Sequence, residues 1–188
     1  MGKYFGVLTL ALLLATVLIR VRLMRRAGIE AMHFGKIDSK DFLIPPFAIF
    51  YFYIVFAAAF DWPTVATHRF FESKLTFWAG VICCLSGLTL LFLSLVSFGK
   101  SFRIGIDQDR PDKLVTTGVF AVSRNPIYVA FWFVLLGEFL LFSNPIPLVY
   151  LTAATWLFHR QVLREEEFMR RHYGQEYADY SARVRRYL

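Results

Sequence analysis

The 188-residue chain is 57% hydrophobic and 18% aromatic, and only 19% of its residues are charged. Soluble domains carry about a quarter charged residues and under half apolar ones, so this composition predicts a protein whose solvent is lipid. The net charge of +7 does not indicate nucleic-acid binding, because the Lys and Arg residues lie between long apolar runs, where they favour anionic headgroups. We expect an all-α membrane protein with lipids as neighbours and no obligate protein partner.

Five apolar segments predict about five transmembrane helices. They are Tyr4–Ile19, Phe42–Phe60, Leu75–Phe98, Ile127–Phe142 and Ile146–Phe158. The last two are short and flank a turn signal from Ser143 to Pro147, which predicts a helical hairpin. Its second arm is expected to continue as a polar helix from His159 to about His172. In a four-span alternative this hairpin is re-entrant.

The basic residues predict the orientation. Arg20 and further arginines follow the first apolar segment instead of preceding it, which predicts an uncleaved span with its N-terminus outside. Residues 20–41, 99–126 and 159–188 hold six, five and seven of the 21 Lys and Arg residues. The positive-inside rule places these three segments, and hence the C-terminus, in the cytoplasm. We expect a single membrane domain over 1–188, with three spans in 1–98.

The third segment carries small residues that predict close helix packing. Gly80, Cys84 and Gly87 share a face along which another backbone can approach. The adjacent Cys83 and Cys84 point about 100° apart on a helix, so they are not expected to form a disulfide. Their neighbours supply no further ligands, so no metal site is expected.

Two polar segments interrupt the apolar pattern. In Leu114–Tyr128, Gly118 permits a tight turn, Asn125 is placed to cap a helix and Pro126 to begin it. The alternative is a plain helix start with an arginine at the headgroups. In Arg160–Tyr180, the acidic run Glu165–Glu167 is either a solvated helix face with i,i+4 pairs or a ligand site. Neighbouring glutamates point about 100° apart, so one can face a ligand while the other holds an arginine.

The two segments together resemble the isoprenylcysteine carboxyl methyltransferase family, within a broader group that includes phospholipid N-methyltransferases. The shared patterns are Leu-Val-x-x-Gly-x-Phe from Leu114, Arg-Asn-Pro-Ile-Tyr from Arg124, and Glu-Glu from Glu165 ahead of Tyr-Gly-x-x-Tyr. The resemblance runs from Gly99 to Tyr187. It implies S-adenosylmethionine as methyl donor, a cofactor-binding catalytic half in 99–188, and a lipophilic or lipid-anchored acceptor such as an isoprenylcysteine-type carboxylate.

Carried onto this sequence, the resemblance implies site residues. The catalytic candidates are Arg124, Tyr128 and Glu166. The cofactor-binding candidates are Val115, Gly118, Asn125, Pro126, Tyr128, Glu165, Glu166 and Tyr177. The substrate-binding candidates follow from the residues themselves and are Glu138, because of its depth in an apolar span, and Arg160 and Arg164, because a guanidinium group can bind a carboxylate. Glu138 lies in the middle of the fourth span, where a carboxyl must be protonated, paired or facing a polar cavity.

Two positions depart from the family pattern. Asn125 stands where histidine is common, so imidazole chemistry is lost but an amide can still hydrogen-bond the cofactor. Arg185 stands where proline is usual, which bears on the path of the tail. The competing hypotheses are a phospholipid amine N-methyltransferase, a sterol-type reductase that uses NADPH, and a membrane scaffold without enzymatic activity. Methyl transfer itself is an in-line displacement that depends on positioning.

Overall fold

The computed structural model describes residues 2–26, 44–60, 62, 70–99 and 113–188. Six α-helices lie in these ranges: α1 (Gly2–Arg26), α2 (Ile44–Ala59), α3 (Lys74–Phe98), α4 (Pro126–Phe142), α5 (Pro145–Tyr173) and α6 (Gln175–Arg183). A 3₁₀ turn at Gly118–Ala121 precedes α4, and an isolated parallel bridge joins Ser123 to Arg185. The predicted all-α fold class is confirmed for the described residues.

Each predicted apolar segment coincides with one of the helices α1 to α5. The helix α1 continues past the predicted end at Ile19 to Arg26, because Val21 and Met24 of the last turns are buried against other helices. The start of the second segment, at Phe42, lies outside the described residues, as do 27–41 and 100–112 of the predicted cytoplasmic segments. The helix α3 begins one residue early at a capping box formed by Ser73 and Thr76.

Two of the described helices are long and apolar enough to cross a membrane. They cover Tyr4–Arg26 and Lys74–Phe98, whereas Ala48–Ala59 and Pro126–Phe142 are apolar but shorter. These helices support integration in a membrane. The predicted number of about five spans is not confirmed, because only these two of the described helices meet the criteria of length and hydropathy.

The helices α3 and α4 pack backbone against backbone along a row of small residues. A Cβ atom added to Gly87 would lie 2.7 Å from the carbonyl oxygen of Ala130, and one added to Gly80 would lie 3.0 Å from that of Gly137. Cys84 is buried in the same row, and both cysteines are free thiols. The predicted small-residue face is therefore confirmed, and in lipid such close approach is what holds helices together.

A hydrophobic cluster fixes the N-terminal end of α4, where the first polar segment lies. Val21 and Met24 of α1 pack with Leu91 and Leu95 of α3 and with Ala130 of α4. Since three helices meet within two turns of Pro126, the residues just before α4 are held at a defined position against the bundle.

A two-residue turn joins α4 to α5 where the sequence predicts a hairpin. Ser143 takes the left-handed conformation (φ 37°), and the Asn144 side chain accepts a hydrogen bond of 2.9 Å from the Ile146 amide. The helix α5 then runs without a break from Pro145 to Tyr173. Its apolar first half therefore continues directly into the charged stretch that contains Glu165 and Glu166.

Candidate functional site

Asn125, at the start of α4, points its side chain away from the helix. Asn125 is the N-cap residue of α4, as predicted, but its side chain makes no capping hydrogen bond. Instead, its Nδ2 atom donates to Glu166 Oε1 and to the Arg186 carbonyl oxygen, both at 3.1 Å. A hydrogen bond to a carboxylate is about twice as strong as one between neutral groups, which explains why the amide turns towards Glu166 rather than towards the helix end.

Glu166 is the centre of a buried ionic cluster. Only 3% of the residue is exposed. Arg186 contacts its Oε2 atom through Nε and Nη2, both at 3.0 Å, and Arg124 Nη2 lies 3.4 Å from its Oε1 atom. The hydrogen bond with Glu166 raises the pKa of Arg186. The prediction that one of the neighbouring glutamates holds an arginine is confirmed for Glu166.

Glu165 faces another set of partners. The Tyr128 hydroxyl donates to Glu165 Oε1 at 2.6 Å, and Gln161 Nε2 donates to the same atom at 3.1 Å. Burial raises the pKa of Glu165, while the hydrogen bonds from Tyr128 and Gln161 act in the opposite direction because they stabilise the carboxylate. The structure thus brings Arg124–Tyr128 of one polar segment onto Glu165 and Glu166 of the other.

The C-terminal tail, residues 184–188, closes this cluster from a third side. The Arg124 amide donates to the Arg185 carbonyl oxygen at 2.9 Å, within the parallel bridge between Ser123 and Arg185. The Tyr187 hydroxyl and His159 Nδ1 are hydrogen-bonded at 2.8 Å. Sequence reasoning did not single out Arg186, Tyr187 or His159 as site residues. The departure at Arg185 was the one signal that pointed to the path of the tail.

The remaining cofactor-binding candidates lie around the cluster at different distances. Tyr177 is buried, and its pKa is raised by burial and by Glu166, against the effect of the nearby arginines. Pro126 is fully buried at the first turn of α4. Gly118 opens the 3₁₀ turn at φ +63°, where a Cβ atom would clash with the Ser97 side chain. Val115 is half-buried in the segment just before this turn.

A cavity of about 480 Å³ adjoins the cluster between α4, α5 and the tail. Its lining is mainly apolar and consists of Tyr128, Val129, Trp132, Phe133, Thr155, Phe158, His159, Tyr187 and Leu188. The polar groups of the lining are tied to each other or to the cluster, as in the 3.0 Å hydrogen bond from Trp132 Nε1 to Thr155. Tyr128 belongs to both places, since its ring lines the cavity and its hydroxyl binds Glu165.

The structure does not bring the three substrate-binding candidates to this cavity. Arg160 places its guanidinium over the Trp156 ring at 5.8 Å, and Arg164 is half-buried on the same helix. Glu138 lies about 18 Å along α4 from Pro126. It is 0% exposed, and neither carboxyl oxygen has a hydrogen-bond partner among the described residues. Its Oε2 atom would lie 2.6 Å from a Cβ added to Gly6 of α1.

Within the described ranges, no group of three or more His, Cys, Asp or Glu side chains could hold a metal ion. The same ranges contain the other parts of the site. They hold a carboxylate–guanidinium cluster, a tyrosine at its edge and an apolar cavity beyond the tyrosine. Fold and site together describe a helical protein with membrane-type helices, in which a buried ionic cluster adjoins an apolar cavity.

Comparison with known proteins identifies the family. Residues 75–176 match the family model of the phospholipid methyltransferases, and the chain belongs to this family. It is similar to a protein-S-isoprenylcysteine O-methyltransferase of Xenopus laevis, with 33% identity over 108 residues, 56% of this chain and 38% of that protein. It is similar to a probable enzyme of that name in Oryza sativa subsp. indica, with 31% identity over 110 residues, 57% of this chain and 58% of that protein.

A third relative covers more of the chain. The protein-S-isoprenylcysteine O-methyltransferase of Dictyostelium discoideum is 28% identical over 162 residues, 81% of this chain and 65% of that protein. The chain thus spans between 38% and 65% of the length of these curated relatives. The predicted resemblance to the isoprenylcysteine carboxyl methyltransferase family is confirmed.

Proposed function

We propose that the chain transfers a methyl group from S-adenosylmethionine to a lipophilic acceptor at the cytoplasmic membrane face. The acceptor is an isoprenylcysteine-type carboxylate or a similar small lipid-like molecule. One observation carries this proposal: Tyr128 connects the buried carboxylate cluster, through its 2.6 Å hydrogen bond to Glu165, with the apolar cavity that its ring lines. A charged donor and an apolar acceptor can meet only at such a boundary.

The proposal includes a topology with α1 to α5 as membrane spans, the N-terminus outside and the C-terminus in the cytoplasm. The 17 residues of α4 rise about 26 Å, slightly less than the roughly 30 Å hydrocarbon layer. The basic residues of 159–188 support the sidedness. In this arrangement 1–188 is one membrane domain, and 99–188 is its catalytic half.

The residues around Tyr128 fit S-adenosylmethionine. When bound, this donor supplies an electrophilic methyl group on a sulfonium. The aromatic face of Tyr128 suits a cation, and the Glu165 carboxylate suits an ammonium group or ribose hydroxyls. Arg124 Nε is buried without a hydrogen-bond partner in the described part of the chain, so it is placed to donate to a carboxylate. Arg124, Tyr128 and Glu165 are therefore the proposed donor-binding residues.

Glu166 has a different role in this proposal. Both of its oxygens are already occupied by Arg124, Asn125 and Arg186, so it is a positioning residue rather than a group that contacts the reacting atoms. It orients Arg124 and fixes the tail. An acceptor carboxylate is ionised at neutral pH and needs no base, so the work left to the protein is alignment of the two ligands and exclusion of water.

A phospholipid amine is the second candidate acceptor. The family is named for phospholipid methyltransferases. Methylation of an ammonium group also requires that a proton be removed, and His159 at the cavity is the residue type suited to accept it. The names of the curated relatives favour the carboxylate.

Ligand-dependent stability tests the proposal. In detergent, S-adenosylhomocysteine at 100 times its Kd should raise the unfolding free energy by about 2.7 kcal/mol, whereas NADPH should have no effect.

Labelled donor should then transfer methyl to an S-alkylated cysteine carboxylate in preference to phosphatidylethanolamine. Glu165→Gln should weaken S-adenosylhomocysteine binding, and Glu138→Gln, outside the cavity, is the matched control. Stabilisation by NADPH alone would favour the reductase, and stabilisation by neither ligand would favour the scaffold.

A further inference from the structure

One wall of the cavity differs in kind from the others. The walls on α4 and α5 are side chains of long helices, whereas the third wall is formed by Tyr187 and Leu188 of the non-helical tail. Leu188 is 58% exposed although its side chain is apolar. An apolar side chain at the edge of an apolar cavity is a contact surface for an apolar ligand.

The tail is held by polar contacts on three consecutive residues. The Arg185 carbonyl accepts from the Arg124 amide, Arg186 binds Glu166 and Asn125, and Tyr187 binds His159. One of these partners, Arg124, is a proposed donor-binding residue, and Asn125 and Glu166 belong to the ionic cluster that positions it. The position of Tyr187 and Leu188 is therefore set by the same cluster that organises the donor.

This wall can change while the rest of the site stays intact. Most of the lining residues lie on α4 and α5, whereas Leu188 lies outside the helices and is largely exposed. A larger or smaller side chain at position 188 would therefore change the size of the cavity. Tyr187 lines the same cavity, and its hydroxyl is hydrogen-bonded to His159.

We propose that Tyr187 and Leu188 are specificity-determining residues, which set the length of the acceptor's apolar chain. The inference rests on the proposed function, since it assigns the cavity to the acceptor. The apolar lining supports this occupant over the polar donor. One methylene in a fitted apolar pocket is worth about tenfold or more in kcat/KM, so a single change at Leu188 should be measurable.

A chain-length series tests the inference. The acceptors are S-alkylated cysteine carboxylates of increasing chain length, in detergent micelles with saturating S-adenosylmethionine. Leu188→Ala should shift the preferred chain length upward. For acceptors longer than the parent's optimum, its kcat/KM should be about tenfold higher than that of the parent. Leu188→Trp should shift it downward. Tyr187→Phe should raise KM across the series without changing kcat, because the ring stays but loses its tie to His159.

Leu163 provides the matched control. It is 42% exposed on α5 and does not line the cavity, so Leu163→Ala should keep the parent's length profile. If the parent methylates no acceptor of the series, the proposed function fails. If the parent is active but both Leu188 variants keep its length profile, only the inference fails. It is equally overturned if the variants alter the Kd of S-adenosylhomocysteine by calorimetry but not the length profile, because the tail wall would then serve the donor.

Discussion

Two buried carboxyl groups in this molecule have opposite surroundings. Glu166 on α5 is 3% exposed and has two guanidinium groups and an amide around it, whereas Glu138 on α4 is 0% exposed and has no hydrogen-bond partner among the described residues. Equal burial therefore does not mean equal chemistry. The partners available on neighbouring elements decide whether a buried carboxyl is an ion or a neutral acid.

The difference follows from where each helix places its residue. Glu166 meets Arg124 before α4 and Arg186 in the tail, so three separate segments supply charge at one point. Glu138 faces α1 at Gly6, beside Phe142. An unpaired charge there would cost several kcal/mol, so we expect Glu138 to be protonated. The following five predictions test this contrast, beginning with the largest effect.

Removing the carboxylate of Glu166 should destabilise the protein most. Glu166→Leu leaves Arg124 and Arg186 without their counter-ion, and breaking a buried pair in this way costs about 3–5 kcal/mol. We expect the lower end, because the Arg186 side chain is 36% exposed. Chemical unfolding in mixed micelles measures the loss. Glu167→Leu is the control, since its pairs with Arg170 and Arg171 lie at the surface and are worth about 1 kcal/mol or less. Equal losses in the two variants would contradict the contrast.

Tyr128→Phe should lower kcat/KM about tenfold, because a hydrogen bond to a charged group contributes about 1.5–3 kcal/mol and this one orients Glu165. Methyl transfer from labelled donor measures the effect. Tyr53 on α2 is exposed and lies outside the cavity, so Tyr53→Phe should behave like the parent. An unchanged kcat/KM in Tyr128→Phe would remove Tyr128 from the proposed site.

The pH dependence of donor binding should report on Glu165. Burial raises its pKa, so the group gains its charge at a higher pH than the usual value of about 4.3. A cationic donor binds the ionised form, and its affinity should therefore rise with pH through this raised pKa. Calorimetry with S-adenosylmethionine from acidic to neutral pH measures the midpoint.

The same shift makes a prediction about stability. Between the ordinary and the raised pKa the folded state binds more protons than the unfolded state, so stability should fall as pH rises through this window. Glu165→Gln should lack the pH-dependent rise in donor affinity and should show a smaller fall in stability than the parent, because the buried Glu138 contributes to the same fall. Glu138→Gln should retain the rise in donor affinity. A parent whose donor affinity does not change over the range would contradict the role of Glu165.

The smallest effect is expected at Glu138. Replacing an unpaired buried carboxyl with leucine removes a polar group from an apolar site. Glu138→Leu should therefore lower the unfolding free energy by less than about 1 kcal/mol, or raise it. Chemical unfolding beside Glu166→Leu measures the contrast directly. A loss as large as that of Glu166→Leu would show that the carboxyl of Glu138 is charged and paired.

Much of the fold was predictable because the membrane constrains it. Long apolar runs between basic segments give helices in lipid, and Gly80, Cys84 and Gly87 recur at a spacing that places them on one helix face. The start of α4 was predictable from Pro126, since proline favours the first helical turn. The encounter of Arg124–Tyr128 with Glu165 and Glu166 was indicated by the family resemblance rather than by the residues alone.

The contacts of the tail could not be read from the sequence. Arg186 reaches Glu166 across α6, and helical periodicity carries no information about where a chain returns after such a turn. Asn125 illustrates the same limit, because its position before Pro126 predicts a cap but a carboxylate from another helix offers a stronger partner. For Glu138 the sequence indicates depth, but whether a partner faces it depends on three other helices.

The continuity of α5 has a mechanical consequence. Its 29 residues form one helix from the hairpin turn to Tyr173, so its apolar and charged halves cannot tilt independently. With Glu165 about 30 Å from the hairpin turn, a 10° tilt would displace it by roughly 5 Å relative to Tyr128, enough to separate the pair. In the proposed topology, in which the first half of α5 spans the membrane, a change in bilayer thickness would therefore alter the alignment of Tyr128 with Glu165.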